Sequence, residues 1–418
     1  MLESALAHRS PSLDSFAMFF TAHNVRLLAF GLLACFASAF GQTFFISLFN
    51  PQWMQEFDLG HGEIGALYST ATLLSGLTLI QVGKLLDDVP LVKFTALAVL
   101  AFAAGCLFIA NVTEPAWLVA GFFMIRLCGQ GLMGHIAVSS MARFFERGRG
   151  RAISIATLGF PLGEAIFPSL VVVTVAALGW RGSWMLAAAF LVLFILPLLA
   201  WLPRQAPLAD PARVAQEPGY RRRDVLRDPR FYFLLPIMLA APFIITGLFF
   251  HQATLAVAQG WSLALLASAF VAFAMAQTAS SLLTGVLIDR FGARRLLHVF
   301  LWPLGVGAIL LLHVDTAWMA FAYMAMAGFS AGANGSLSGA IWAELYGTRH
   351  IGAIRAMFTA MMVFSTAASP VILGIALDKG WSMPALAAIM GLYALAVGPL
   401  CGSAVNRIGR KELTDENR

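Results

Sequence analysis

Gly83-Lys84-Leu85-Leu86-Asp87-Asp88 and Gly285-Val286-Leu287-Ile288-Asp289-Arg290 each place a glycine, and an acid four residues on, where an apolar stretch meets a charged loop. The two copies lie about 200 residues apart, and other landmarks fall on nearly the same offset: Gly150 with Gly352, Pro168 with Pro370, Gly179-Trp180 with Gly380-Trp381. A weak repeat of half the chain, in so apolar a sequence, predicts a membrane protein of two similar halves. Two halves rocking about a shared site can open it to each side in turn.

Composition agrees. Of 418 residues, 60% are hydrophobic and 11% charged, against about a quarter charged in a soluble domain. Apolar stretches near the roughly 20 residues needed to cross hydrocarbon centre on Ala37, Leu73, Leu100, Cys128, Ala165 and Leu193, then on Ile245, Ala276, Val306, Met326, Phe364 and Leu392. Nothing reads as strand, and hydrocarbon leaves backbone groups no partner but the helix's own. The expected fold is all-α and integral to the membrane, with twelve transmembrane helices as two pseudo-symmetric six-helix bundles. The bundles are read at 26–202 and 230–405. A cytoplasmic segment (1–25), a proline- and arginine-rich cytoplasmic linker (203–229) and a cytoplasmic tail (406–418) complete the chain. Phe16, Met18, Phe19 and Phe20 are read as a short interfacial helix, and no cleavable signal is evident.

The net charge of +6 raises nucleic acid as a partner, but its distribution argues against one. With both termini cytoplasmic, 24 of the 27 basic residues fall on the inner side, Arg181 and Lys379 fall outside, and Arg126 lies within a span. That is the positive-inside pattern, and the excess reports orientation and attraction to anionic lipid heads. Abundant Arg, Ala and Gly point to a GC-rich genome and a bacterial inner (plasma) membrane. Cys35, Cys106, Cys128 and Cys401 have no metal-ligand or paired spacing. No metal or cofactor is expected, and no phosphate-binding loop or dinucleotide fingerprint is found. The chain is read as a monomer and not an enzyme.

At this point the residues reach a family. GVLIDRFGARR, from Gly285, resembles the loop signature between helices 8 and 9 of the major facilitator superfamily. GKLLDDVPLVK, from Gly83, resembles its counterpart between helices 2 and 3, with Asp88 where a base is usual and Pro90 where glycine is. RLCGQG from Arg126, RFFERGRGRA from Arg143 and LRDPRFYFLLP from Leu226 resemble further motifs of that family. The resemblance implies secondary transport by alternating access, and a role for Arg126 in coupling or binding. Gly83, Asp87, Arg143, Gly285, Asp289 and Arg290 are then the gating set: each glycine allows close packing, and each acid, within reach of arginines, can latch one state and release in the other. A static loop staple is the alternative.

Two charged residues, Arg126 and Glu164, lie near mid-membrane at matching depth on consecutive helices. A charge there costs several kcal/mol unless paired or wetted, so each is expected to need the other or a cavity. Glu164 is the expected proton carrier. The resemblance implies a cavity between helices 1, 4, 7 and 10, where Gln42, Gln130, His251, Asn334 and Ser338 supply polar groups. Each could equally be glue between helices. Phe44, Phe45, Phe49, Phe249 and Phe250 would make the walls partly aromatic. The favoured substrate is a small organic anion of monocarboxylate type, moved with protons. Two alternatives stay open: efflux of amphiphilic drugs or toxins, and a non-transporting sensor on the same fold.

Overall fold

The computed structural model describes residues 21–145, 148–203, 220–347 and 349–415. The segment read as an interfacial helix and most of the linker lie outside them. Among the described residues no strand occurs, and nine helical runs are long and apolar enough to cross a membrane. The run Arg149–Trp201 is two helices, because Gly179 breaks it with φ 68°. With Trp302–Leu310 and Ala317–Tyr346, twelve helices follow the expected order.

They are α1 (22–57), α2 (His61–Val82), α3 (Leu91–Ala110), α4 (Trp117–Phe144), α5 (149–178), α6 (180–201), α7 (Pro229–Phe250), α8 (Leu263–Phe291), α9 (Trp302–Leu310), α10 (Ala317–Tyr346), α11 (Ile351–Asp378) and α12 (Met383–Asp415). An even number of crossings puts both chain ends on one face, here the terminal face; the other is the far face. The repeat read from sequence has a backbone counterpart. Gly179 and Gly380 both adopt positive φ, 68° and 88°, at the far-face turns into α6 and α12. Glycine makes that turn without the Cβ clash other residues would meet.

Two helices of the first bundle are irregular where they cross. The α-helical part of α1 stops at Ala37, and Gln42 is extended (φ −86°, ψ 153°) before helix resumes at Thr43. α4 is a π-helix from Arg126 to Met133. Gly41 and Gly129 let the two backbones touch. A Cβ on Gly41 would fall on the Ile125 carbonyl oxygen, the Gln130 nitrogen and the Gly129 Cα, all inside 3.0 Å. α1 packs between α4 and α5, since Gly159 and Gly163 of α5 meet its other side at Leu32, Phe36 and Ala39.

The bundles meet closely toward the far face. Asn50 Nδ2 of α1 donates to the Phe250 carbonyl at 2.8 Å. Gln252, just past α7, donates to the Phe44 carbonyl and Ser47 Oγ, both at 2.8 Å. Asp378 at the end of α11 accepts from the amides of His61 and Gly62 at 2.9 and 2.7 Å, where a helix N-terminus favours an anion. Among the described residues, these hydrogen bonds between bundles all sit at far-face ends. Toward the terminal face the bundles leave a cavity of about 560 Å³ between α2, α4 and α11.

Arg181 is one of the two basic residues read onto the far face. Its guanidinium holds Glu56 at 2.6 Å, accepts nothing, donates to the Val112 carbonyl at 2.9 Å and stacks 4.1 Å from the Trp180 ring centroid. Trp180 Nε1 also donates to Glu56 at 2.8 Å. The hydrogen bond from Arg181 holds the Glu56 carboxyl below its usual range, against a smaller opposing effect of burial.

Two outcomes test this packing. Gly41→Ala should lower stability by about 1–3 kcal/mol, the cost of overpacking, while Gly285→Ala, with open space around it, should not; both are read by thermal unfolding in detergent. Glu56→Gln should destabilise the protein slightly at neutral pH, by under about 1 kcal/mol for so exposed a pair. Because the folded carboxyl titrates low, its contribution is present above the ordinary carboxylate range and is lost as pH falls through the lowered value. The difference between variant and parent should therefore vanish in acid.

Candidate functional site

The break in α1 leaves a carbonyl free inside the bundle. Phe45 N and Ile46 N both turn to the Gln42 oxygen. Arg126, at the start of the π segment, points its Nη1 at the Gly41 oxygen, 3.4 Å away, and at Thr43 Oγ1, 3.3 Å away. Its guanidinium lies 4.9 Å from the centroid of the Tyr68 ring on α2, and Tyr68 Oη is 2.7 Å from Thr43 Oγ1. Arg126 is 3% exposed and its Nε is buried without a protein partner. A cation is thus held by a carbonyl, a hydroxyl and an aromatic face, with no carboxylate against it among the described residues.

Glu164 does not supply that carboxylate. No ion pair joins it to Arg126 among the described residues, and its Oε2 is buried with no hydrogen-bond partner. The reason is the placement of α1: it lies between α4 and α5, and the arginine turns to the break in α1. Each charge was expected to need the other or a cavity, and pairing with Glu164 is not the solution Arg126 takes.

The remaining residues divide. Gln130 is exposed on α4, one turn from Arg126, and Gln42 is half-buried at the break with its Nε2 3.5 Å from Ser38 Oγ. On α10, Asn334 and Ser338 are half-buried, and Asn334 Oδ1 is buried without a partner. His251 is different. It is 2% exposed, and its Nε2 bonds the Pro370 carbonyl of α11 at 2.9 Å. The ring also stands edge-on to His61 of α2, with centroids 5.8 Å apart, so it packs where the two bundles meet, as glue between helices. The five phenylalanines are 0–5% exposed. Phe45 and Phe49 pack with Trp184, while Phe44 and Phe249 meet Phe270 of α8. They close the far end and do not line an open chamber.

The gating residues are also unequal in the two halves. Gly83 is buried, and His135 of α4 bonds its carbonyl at 3.1 Å. Arg143 donates to the Leu86 carbonyl at 3.1 Å. The side chain of Asp87 lies outside the described residues. In the second half a Cβ on Gly285 would meet no described residue of another element within 4 Å, so no helix packs closely against it here. Asp289 is exposed, and Arg290 stacks on Phe291 at 5.2 Å. The acid that caps this loop is Glu344 of α10. It accepts from Ala293 N at 2.8 Å and pairs with Arg294 at 3.3 Å.

Sequence reasoning missed Thr43, Tyr68, Asn50, Gln252, Asp378 and Glu344. One pair carried a readable signal: Asn50 and Gln252 stand on the same offset as Gly83 and Gly285.

The Tyr68 contact has a direct test. Tyr68→Phe keeps the ring under Arg126 and loses only the hydroxyl, while Tyr68→Leu loses both. The second should destabilise more, by about 0.5–2 kcal/mol for a desolvated cation–π contact. On an Arg126→Gln background that excess should disappear from the unfolding midpoints.

The sequence profile of the Major Facilitator Superfamily matches residues 31–271 and 250–404. No curated protein matches significantly. Among solved structures, a bacterial homologue of the human lysosomal transporter Spinster, inward-facing and occupied, superimposes with a TM-score of 0.71 at 16% identity, over 91% of this chain and 96% of that one. The same homologue, inward-facing and unoccupied, gives 0.66 at 16% identity, over 92% and 94%. A point mutant of the nucleoside transporter NupG gives 0.66 at 14% identity, over 91% and 99%. At these identities the structures speak for the fold alone; with the profile matching most of the sequence, the chain belongs to the major facilitator superfamily and has the fold of a secondary transporter.

Proposed function

We propose that this chain carries a small organic anion by alternating access, coupled to protons. The observation behind the substrate class is the buried guanidinium of Arg126, which no described carboxylate neutralises. A buried cation without a counter-charge is costly. An anion arriving beside Gln130 would offset that cost, and Gln42, Asn334 and Ser338 would complete the polar lining. Glu164 is the proposed proton carrier: it is an acid in the membrane interior, with one oxygen buried and free of partners. The terminal face is assigned to the cytoplasm of a bacterial plasma membrane by the basic residues clustered on it. The state described is then inward-facing.

The amides of Asn50 and Gln252, with Asp378, form the proposed outer gate. In this state Asp289 is exposed and pairs with no described residue. That matches a latch that is released while the inner side is open and re-forms when it closes. The efflux reading loses its main support, since the phenylalanines that suggested it are packed away.

Proteoliposomes with a labelled panel of small carboxylates, set against amphiphilic cations, test the reading. Inward proton gradients should drive uptake of at least one acid by the parent protein. Arg126→Gln should abolish it, and Glu164→Gln should stop gradient-driven uptake while sparing exchange. Uptake that keeps its pH dependence in Glu164→Gln would remove that residue from coupling, and transport of the cations alone would overturn the anion assignment.

A further inference from the structure

The cavity between α2, α4 and α11 differs in character from the Arg126 site. Its walls are apolar: Leu73, Leu77 and Ile80 of α2 face Ala360, Val363 and Phe364 of α11. Leu77 and Ile80 are both 54% exposed and Phe364 is 56% exposed. These lining residues are thus more than half exposed, so the space is an open groove and not an enclosed pocket. At its terminal-face end the lining turns polar and basic, with Lys84, His135, Ser139 and Arg143. Lys84 is exposed, its Nζ 3.1 Å from Gln81 Oε1. Asp88 shares that turn but does not line the groove.

Depth decides what such a groove can hold. Leu73 lies about 16 Å further into the membrane than Lys84, at roughly 1.5 Å per helical residue. That is about half of a 30 Å hydrocarbon core, or the reach of one acyl chain in one leaflet. A volume of about 560 Å³ is within the range of small-ligand sites, roughly 300–1,000 Å³. The glycines of α2 explain why the groove ends where it does. Gly62 and Gly65 sit against Ile375 and Pro370 of α11, closing the seam toward the far face, whereas below Gly76, which meets Val363, the seam opens.

We propose that this groove binds a single-chain amphiphile with an anionic head, taken sideways from the leaflet at the terminal face. The head meets Lys84, with His135 and Arg143 beside it, and the chain runs along Leu77, Ile80 and Phe364 toward Leu73. The site is separate from the Arg126 site: none of its lining residues touches Arg126.

The test uses the full chain in nanodiscs of zwitterionic lipid with a diazirine-bearing palmitate. Light should attach the probe to peptides covering 73–84 and 356–364. Unlabelled palmitate and a single-chain lysophosphatidate should both compete, which would leave the head as any anion; competition by one alone would fix its chemistry. Uncharged monopalmitin, acetate and inorganic phosphate should not compete. Lys84→Gln should weaken labelling about fivefold, the worth of one basic residue at an anionic surface. Ala360→Trp, which fills the groove, should abolish it. Labelling spread evenly over all lipid-facing helices, equal competition by monopalmitin, or labelling unchanged by both variants would overturn the proposal. Competition in the parent protein decides the matter even if a variant fails to fold.

Discussion

The bond from Arg126 to the Gly41 carbonyl joins two features that neither helix could sustain alone. A break in a transmembrane helix frees backbone groups that hydrocarbon cannot solvate, at several kcal/mol each. A buried guanidinium is as unwelcome unless something accepts from it. Here the break at Gln42 supplies the acceptor and the arginine supplies the donor. The π-helical stretch of α4 and the Gly41–Gly129 contact bring the two into reach. Tyr68 and Thr43 complete the setting. The arrangement satisfies much of the positive group and still leaves its charge unmatched, which is a useful property for a site that must take up and release an anion.

A similar logic runs through the far-face closure. Asn50 and Gln252 hold equivalent places in the two halves, and each donates to a backbone carbonyl of the other half. The carbonyls they reach lie in irregular segments: Phe250 at the end of α7, and Phe44 just past the break in α1. Neutral hydrogen bonds contribute only about 1 kcal/mol each on balance, because water replaces them when they part. The polar part of that closure, a few such bonds and one capped helix, biases the molecule by a few kcal/mol. Differential binding of a substrate to two states can overturn a bias of that size.

Much of the fold was legible because membrane solvation leaves few options. Apolar length gave all twelve helices, and the glycine repeat gave the two halves, down to the positive-φ turns at Gly179 and Gly380. The site was legible only in part. Arg126 stood out because a charge in hydrocarbon is rare, but its partners could not be read. Thr43 and Tyr68 are ordinary residues, and the acceptor is a backbone oxygen exposed by a break that no proline marks. Glu164 matched Arg126 in depth, yet depth along a helix does not fix which neighbour lies between. The role of His251 stayed open for a related reason: such a histidine looks the same in sequence whether it faces a chamber or, as here, a backbone carbonyl of another helix. The acid in GVLIDRFGARR drew attention to Asp289, while the working cap, Glu344, came from a helix 51 residues beyond the Ala293 amide it caps.

Distance between spin labels at Gln55→Cys on α1 and Ala258→Cys beyond α7 tests the account most directly, in a background with the four native cysteines replaced. Both positions are exposed at far-face ends on opposite sides of the proposed gate. A short distance is expected in the resting protein, with a second, longer population that grows when Gln252→Ala removes its amide from the closure. A single short distance in both proteins, whatever substrate or proton gradient is applied, would contradict it.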